Sequence, residues 1–136
     1  MSVDFEDYSA QVKAALNEGI ITGLYHAAAE IQSQAADNSR VATGQLRKSW
    51  DYIVNEGAYE ATIGSPLENA IWEEFGTGEY AAHGDGRKGG WSYQDDKGDW
   101  HHTKGKTPNH TLQRAFGRKK NTAIQLIINA IKDALK

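Results

Sequence analysis

Apolar residues recur every three or four positions near both ends of the chain, and this is the spacing of one face of an α-helix. From 5 to 36 they are Val12, Leu16, Ile20, Leu24, Ala27 and Ile31, and from 110 to 136 they are Leu112, Phe116, Ala123, Ile127, Ile131 and Leu135. We therefore predict a long amphipathic helix at each end. Gly19 and Gly23 weaken the first by about 1 kcal/mol each relative to alanine, but residues this small let another helix approach closely.

Between these helices the pattern changes to alternation, which predicts two pairs of short strands. Trp50, Tyr52 and Val54 occupy every second position, and residues 59–63 alternate in the same way after a turn at 55–57. A second hairpin is predicted where residues 91–95 and 98–103 flank an Asp-Asp-Lys-Gly turn. Trp91, Tyr93 and Trp100 are then available to line one face of it.

Turn and capping residues predict two short helices in the same region. Thr43 is placed to cap a helical turn that runs to about residue 49. Ser65, Pro66 and Glu68 have the form of a capping box, and the helix after them should end at Gly76. The stretch 76–90 is rich in glycine and charge without any period, so we predict a long mobile loop.

The resulting order of elements predicts a single α+β domain over residues 1–136. Long N-terminal and C-terminal helices (1–36 and 109–136) would pack on a small antiparallel β-sheet formed within 41–75, with a glycine-rich loop and hairpin at 76–108. A length of 136 residues is enough for one buried core. The chain has no cysteine, which excludes a disulfide framework, a zinc–thiolate site and a thiol nucleophile.

Charge is unevenly distributed along the chain. Residues 1–80 carry thirteen acids and four bases, whereas residues 81–136 carry five acids and eleven bases, within a net charge of −3. Two interpretations stay open: the acidic surface of one copy meets the basic surface of the next, or the halves neutralise each other inside each monomer. The acidic N-terminus and the lack of an apolar run near the roughly 20 residues that span a bilayer predict a soluble protein made in the cytosol.

Several sequence pieces occur in the order seen in one known family. Residues 43–49 match TG-x-LR-x-S, residues 63–65 match the end of the second strand, and residues 70–78 match YA-x-x-x-EFGTG. A glycine-rich loop and a proline, Pro108, then precede the last helix. Over roughly residues 41–116 the chain thus resembles the gene-product-ten-like neck family of lambdoid siphophages, which includes tail-completion proteins. It departs from the family's P-x-PFL-x-x-A run, because the apolar anchor has moved to Leu112 and Phe116.

This resemblance implies a non-enzymatic virion protein of the phage neck that joins head and tail and binds no cofactor. Copies would form a six-fold or twelve-fold ring around the DNA channel, after synthesis in the host cytoplasm. The expected partners are neighbouring neck, tail-terminator and tail-tube proteins, with non-specific contact to DNA in the channel and no membrane.

The expected site residues lie at interfaces and are not catalytic. One group should hold the segment that presents the long loop: Trp72, Phe75, Gly76 and Thr77. A second group should form ion pairs between copies: Arg47, Arg114 and Arg118 on one side and Glu73, Glu74 and Glu79 on the other. The adjacent Glu73 and Glu74 could also suggest acid–base chemistry, but neighbours on a helix do not face each other.

Two other classes of function remain as alternatives. A metal-binding enzyme could use the histidines and aspartates near the second hairpin: His83, His101, His102, His110, Asp95, Asp96 and Asp99. Their spacing matches no known ligand signature, and adjacent histidines on a strand point to opposite faces. A DNA-binding module could use Arg114, Arg118, Lys119 and Lys120. The acidic total and the lack of a helix-turn-helix or zinc pattern argue against sequence-specific binding.

Overall fold

The computed structural model describes residues 7–40 and 44–136, and its framework is a pair of long helices joined by short elements. The helices are α1 (Ser9–Asn38), α2 (Gln45–Ser49), α3 (Glu68–Phe75) and α4 (Thr111–Ala134). The strands are β1 (Asp51–Asn55), β2 (Glu60–Gly64), β3 (Trp91–Gln94) and β4 (Trp100–Thr103), and a 3-10 turn spans Gly78–Tyr80. The α+β class with a long helix at each end is confirmed. The predicted helix start at residue 5 and the cap at residue 43 lie outside the described residues.

Helices α1 and α4 pack antiparallel along most of their length, and two glycines set their separation. A Cβ atom added to Gly19 would lie 2.7 Å from the Cα of Ile131, and one added to Gly23 would lie 2.6 Å from the Cα of Ile127. The prediction that these small residues admit a close helix is confirmed. Further along the pair, Lys119 Nζ lies 2.8 Å from Glu30 Oε1.

The buried core is built largely from alanines, because the backbones approach too closely for bulky side chains. Ala35 and Ala115 have no exposed surface, and Ile31, Leu46 and Trp50 complete the core where α1 meets α2. The indole of Trp50 donates a hydrogen bond to Ser39 Oγ over 2.8 Å. In contrast, Val12, Phe116, Ile124 and Leu135 on the predicted apolar stripes are exposed.

Within residues 7–40 and 44–136 the strands form two separate two-stranded antiparallel sheets, which confirms the two predicted hairpins. The β1–β2 hairpin packs on α1, with the rings of Tyr52 and Tyr25 in an edge-to-face contact at 6.3 Å. In the β3–β4 hairpin, Trp100 pairs with Gln94 and Tyr93 pairs with His101. Paired residues share a face and successive residues alternate, so the expectation that Trp100 shares a face with Trp91 and Tyr93 is wrong.

The sequence predicted the C-terminal end of α3 correctly but not its N-terminal end. Gly76 follows the last helical residue with a φ of +74°, as predicted for a glycine that ends a helix. At the start, the hydroxyl of Ser65 accepts a hydrogen bond from the Leu67 N–H over 3.2 Å, and α3 begins at Glu68 with Leu67 as its N-cap. The predicted capping box is therefore wrong, because the Ser65 hydroxyl closes a local turn before the helix begins.

Candidate interaction surface

The EFGTG segment forms a backbone-to-backbone contact with residues 104–106. Thr77 N–H donates to Lys106 O over 2.8 Å, Lys106 N–H donates to Thr77 Oγ1 over 2.8 Å, and Glu79 N–H donates to Lys104 O over 2.8 Å. Gly76 and Gly78 both have positive φ, and a Cβ on Gly76 would lie 2.7 Å from Lys106 O. Glycine is required here because two main chains lie in direct contact.

Glu73 is a fully buried acid that joins three parts of the chain. Its carboxylate lies 3.1 Å from Arg40 Nε and forms a second ion pair with Lys106 Nζ, while Arg40 also donates to Thr107 O over 2.7 Å. Burial raises the pKa of the Glu73 carboxyl, but hydrogen bonds from Lys106 and Arg40 outweigh burial and leave the pKa below its ordinary value. The charged carboxylate thus fixes α3 to the residue after α1 and to the segment before α4.

Glu74 caps the N-terminus of α4 from a different helix. Its two carboxylate oxygens accept the backbone N–H groups of Leu112, over 2.7 Å, and Gln113, over 3.0 Å. The first N–H groups of a helix lack partners within the helix, and a negative charge is favourable there. Of the three acids expected to meet arginines of a neighbour, Glu73 and Glu74 are therefore engaged inside their own chain. Glu79 is exposed, and its Oε1 accepts the Gly89 N–H over 3.2 Å.

Residues 109–111, of which the sequence offered only His110 as a candidate metal ligand, form a polar junction between α1 and α4. The side-chain amide of Asn109 donates to Asn38 O and to Thr111 Oγ1, each over 2.8 Å, and Asn38 Nδ2 donates to Thr111 O over 3.2 Å. His110 has a φ of +48° at the start of α4. The one signal in the sequence was the departure from the family's aromatic run at this position.

An open apolar groove of about 750 Å³ lies between α1, β2, α3 and α4. Ile31, Trp50 and Ala123 form its buried floor. Its rim is apolar yet exposed, with Ile71 at 61% exposure and Phe116 at 51%, and it also includes Phe75 and Ile124. Contiguous exposed apolar surface of this kind is typical of binding sites.

The three arginines predicted at interfaces lie outside this groove. Arg47 forms an exposed ion pair with Asp37, with 3.1 Å between Arg47 Nη2 and Asp37 Oδ1. Arg114 and Arg118 are both exposed and lie one turn apart on α4, on the side opposite Phe116 at 100° per residue. Arg114 also donates to Asn109 Oδ1 over 3.1 Å. Arg114 and Arg118 thus form a basic face that is separate from the groove, whereas Arg47 is paired on α2.

Four residues were expected to hold the segment that presents the long loop, and three of them lie together in the structure. Trp72 is exposed on α3 and does not line the groove. The Phe75 ring lies at the groove and contacts the His83 ring, with 5.3 Å between the ring centroids. Gly76 and Thr77 form the backbone contact with residues 104–106, so the structure brings together Phe75, Gly76 and Thr77.

The histidines and aspartates of the second hairpin form local contacts. His101 Nε2 lies 2.7 Å from Asp95 Oδ2, and this hydrogen bond, with a backbone one from Asp99, lowers the pKa of Asp95. Across residues 7–40 and 44–136, no group of three or more histidine, aspartate or glutamate side chains is arranged to hold a metal ion. None of the helices in these two ranges is long and apolar enough to cross a membrane.

Comparison with known proteins gives one family match. A family model described as "Bacteriophage HK97-gp10, putative tail-component" matches residues 4–76, which is more than half of the chain. It includes α1, both strands of the first hairpin and α3, and it ends at the glycine of the EFGTG segment. No curated protein and no solved structure matches the chain.

Proposed function

The chain belongs to the bacteriophage HK97 gp10-like family of tail components, and we propose that it is a structural subunit of the virion neck. In this proposal, copies assembled in the host cytoplasm form a ring around the DNA channel and complete the joint between head and tail. The neighbours would be other neck proteins, the tail terminator and the tail tube. The family match over residues 4–76 carries the proposal. The ordered motifs between residues 41 and 116 support its placement in the neck.

The surface of the subunit supports a role in assembly. Ile71, Phe75, Phe116 and Ile124 are large apolar residues that stay exposed around one groove. A monomer that works alone rarely leaves such a patch open to water, whereas a subunit covers it on assembly. A role of this kind is non-enzymatic, because it depends on the geometry of contacts and requires no reacting group.

A ring closes when one patch of a subunit docks on a different patch of the next subunit. Acids are in excess in residues 1–80 and bases in residues 81–136; Lys106 and Lys119 pair with Glu73 and Glu30 inside the monomer, and the exposed charges that remain are available to a neighbour. Arg114 and Arg118 supply the exposed basic face, and Glu79 is an exposed acid. Reversal of both arginines to glutamate should block assembly and leave the far-UV circular dichroism of the monomer unchanged. Normal yields of infectious particles would contradict this pairing.

Deletion of the gene from its phage tests the proposed function directly. We expect negative-stain electron microscopy of the lysate to show filled heads and separate tails that fail to join, or tails of wrong length. The wild-type gene supplied in trans should restore joined particles. Normal infectious particles without the gene would overturn the proposal.

Contact with DNA in the channel is a narrower part of the same proposal. Arg114 and Arg118 share one exposed helix face, and Lys132 lies in the last turn of that helix. Contacts between such side chains and phosphates weaken steeply as salt rises. Binding of duplex DNA that falls with salt in the wild type, and is lost in the double arginine reversal, would support this contact.

A further inference from the structure

We propose that the β3–β4 hairpin of one copy docks in the apolar groove of the next copy, with Trp100 in the groove and Asp99 beside Lys120. The inference rests on the proposed function, because it names the two surfaces through which neighbouring subunits would join. The occupant of the groove is therefore a second copy of this chain.

The β3–β4 hairpin is exposed on both faces, as expected for an interface element in a subunit without its partner. Residues 92–94 and 96–102 are exposed on both faces, and Trp100 is 69% exposed. The two strands pair with each other and make few contacts with the helices. A two-stranded hairpin without further packing is only marginally stable in water. Burial of Trp100 against another subunit would supply the missing apolar contact.

The tip of the hairpin is held rigid by one side chain. Asp95 Oδ1 accepts the N–H groups of Lys97 and Asp99, each over 2.9 Å, and Asp95 Oδ2 pairs with His101. The Gly98 N–H donates to Asp95 O over 3.0 Å. A turn ordered before docking loses less conformational entropy on binding. The tip therefore presents the main chain at Asp99 and Trp100 in a fixed arrangement.

The groove matches this tip in both apolar character and charge. Lys120 lies on α4 one turn from Phe116 and one turn from Ile124, so its ammonium interrupts an apolar wall. The Glu74 carboxylate also lines the groove, but its oxygens already accept two backbone N–H groups of α4. Within the described ranges, no ion pair engages Lys120 or the side chain of Asp99. The Trp100 indole would pack on the apolar wall, and the adjacent Asp99 carboxylate would pair with Lys120. This charge pair would set the orientation of the hairpin in the groove.

The hairpin and the groove are different surfaces of one chain, so the contact between copies is heterologous. Each subunit would insert its hairpin in one neighbour and receive the hairpin of the other neighbour. Repetition of such a contact produces a ring when the rotation between copies closes.

Disulfide cross-linking tests this docking, because the natural chain has no cysteine. One protein carries Lys97→Cys at the hairpin tip, and a second, with a size tag, carries Gly117→Cys, where an added Cβ meets open space. After mixing at high concentration and mild oxidation, we expect the mixed dimer to exceed both homodimers. The matched control places the cysteine at Gln125, which is exposed on the other side of α4. It should give no excess.

A second variant tests the role of the indole. Trp100→Ala in the Lys97→Cys protein should weaken association about thirtyfold, which corresponds to about 2 kcal/mol for an interface anchor. Tyr93→Ala removes an exposed aromatic ring from the opposite face of the same hairpin and should leave the yield within about twofold. Equal losses in both variants would overturn the assignment of Trp100.

The same variants in phage particles separate this docking from the proposed function. If gene deletion prevents joining of head and tail but particles show no cross-link between positions 97 and 117, the docking is wrong and the function stands. If the purified protein gives the cross-link but deletion leaves normal particles, the docking stands and the function is wrong. Preferred cross-linking of Lys13→Cys to position 117 would assign the groove to the N-terminal end of α1 and overturn the proposal.

Discussion

Substitution of Gly23 by alanine should have two opposite effects on stability, a gain from helix propensity and a loss from helix packing. In an isolated helix the change should stabilise by about 1 kcal/mol. In this fold the new Cβ would lie 2.6 Å from Ile127 Cα and 3.2 Å from Ile127 Cβ. Carbon atoms prefer separations of about 3.5–4.0 Å, so α4 must move away by about 1 Å along a contact that forms the framework of the fold.

The cost of packing should exceed the gain in propensity. Insertion of extra atoms in a tight core costs typically about 1–3 kcal/mol, and contact with the backbone of Ile127 places this site in the upper half of that range. After subtraction of the propensity gain of about 1 kcal/mol, we expect Gly23→Ala to be destabilised by about 1–2 kcal/mol overall. Gly117→Ala is the matched control on α4, because no heavy atom lies within 4 Å of the added Cβ. That variant should gain up to about 1 kcal/mol.

Urea unfolding followed by far-UV circular dichroism measures both variants against the wild type. The expected difference between them, about 1–3 kcal/mol, corresponds to about 0.7–2 M in the urea midpoint at a slope of about 1.5 kcal/mol/M. A midpoint for Gly23→Ala at or above that of the wild type would refute the close approach of α1 and α4. If Gly117→Ala is stabilised and Gly23→Ala is destabilised, the two helices lie in direct contact.

Three further predictions concern the junction around α3. Glu73→Gln should lower the free energy of unfolding by about 2–3 kcal/mol at pH 7. The folded pKa of Glu73 lies below the ordinary value of 4.5. The extra stability of the wild type is therefore present above about pH 4.5 and is lost as pH falls through the folded pKa. Urea unfolding between pH 7 and pH 3 checks this, and a constant difference would contradict it. Glu74→Ala should cost about 1–2 kcal/mol by removing the cap of α4, with faster amide exchange at Leu112 and Gln113; unchanged exchange there would argue against the cap. Gly76→Ala should lower the free energy of unfolding by about 2 kcal/mol more than Gly84→Ala does. Both glycines have positive φ, but only Gly76 lies against Lys106 O. Thermal unfolding of the two variants measures this difference, and equal losses would contradict it.

The sequence motifs that resemble the family and the residues that the family model matches cover different parts of the chain. The motifs that support the resemblance lie between residues 41 and 116, whereas the family model matches residues 4–76 and so includes α1. The EFGTG glycines link the two regions, because their main chain lies directly against residues 104–106. Helix α4 is joined to the matched part independently, through its packing on α1, so this backbone contact matters mainly for the position of the hairpin.

Local patterns in the sequence predicted most of the elements. Apolar spacing predicted α1 and α4, alternation predicted both hairpins, and Gly76 was predicted to end α3. Each of these depends on residues within a few positions of one another, where propensity and periodicity act. The role of Gly19 and Gly23 was also accessible, because glycine weakens a helix and is favoured on its apolar face where a second backbone comes close.

Only the tertiary structure decided which charges and apolar faces are left for a partner. Glu73 and Glu74 look alike in the sequence, yet one is buried between Arg40 and Lys106 and the other caps a helix that begins 37 residues later. Those contacts join residues far apart in the chain, and their geometry depends on how α1 and α4 pack. The same packing buries alanines between the helices and leaves Phe116 and Ile124 exposed, so the groove arises from the close approach of two backbones.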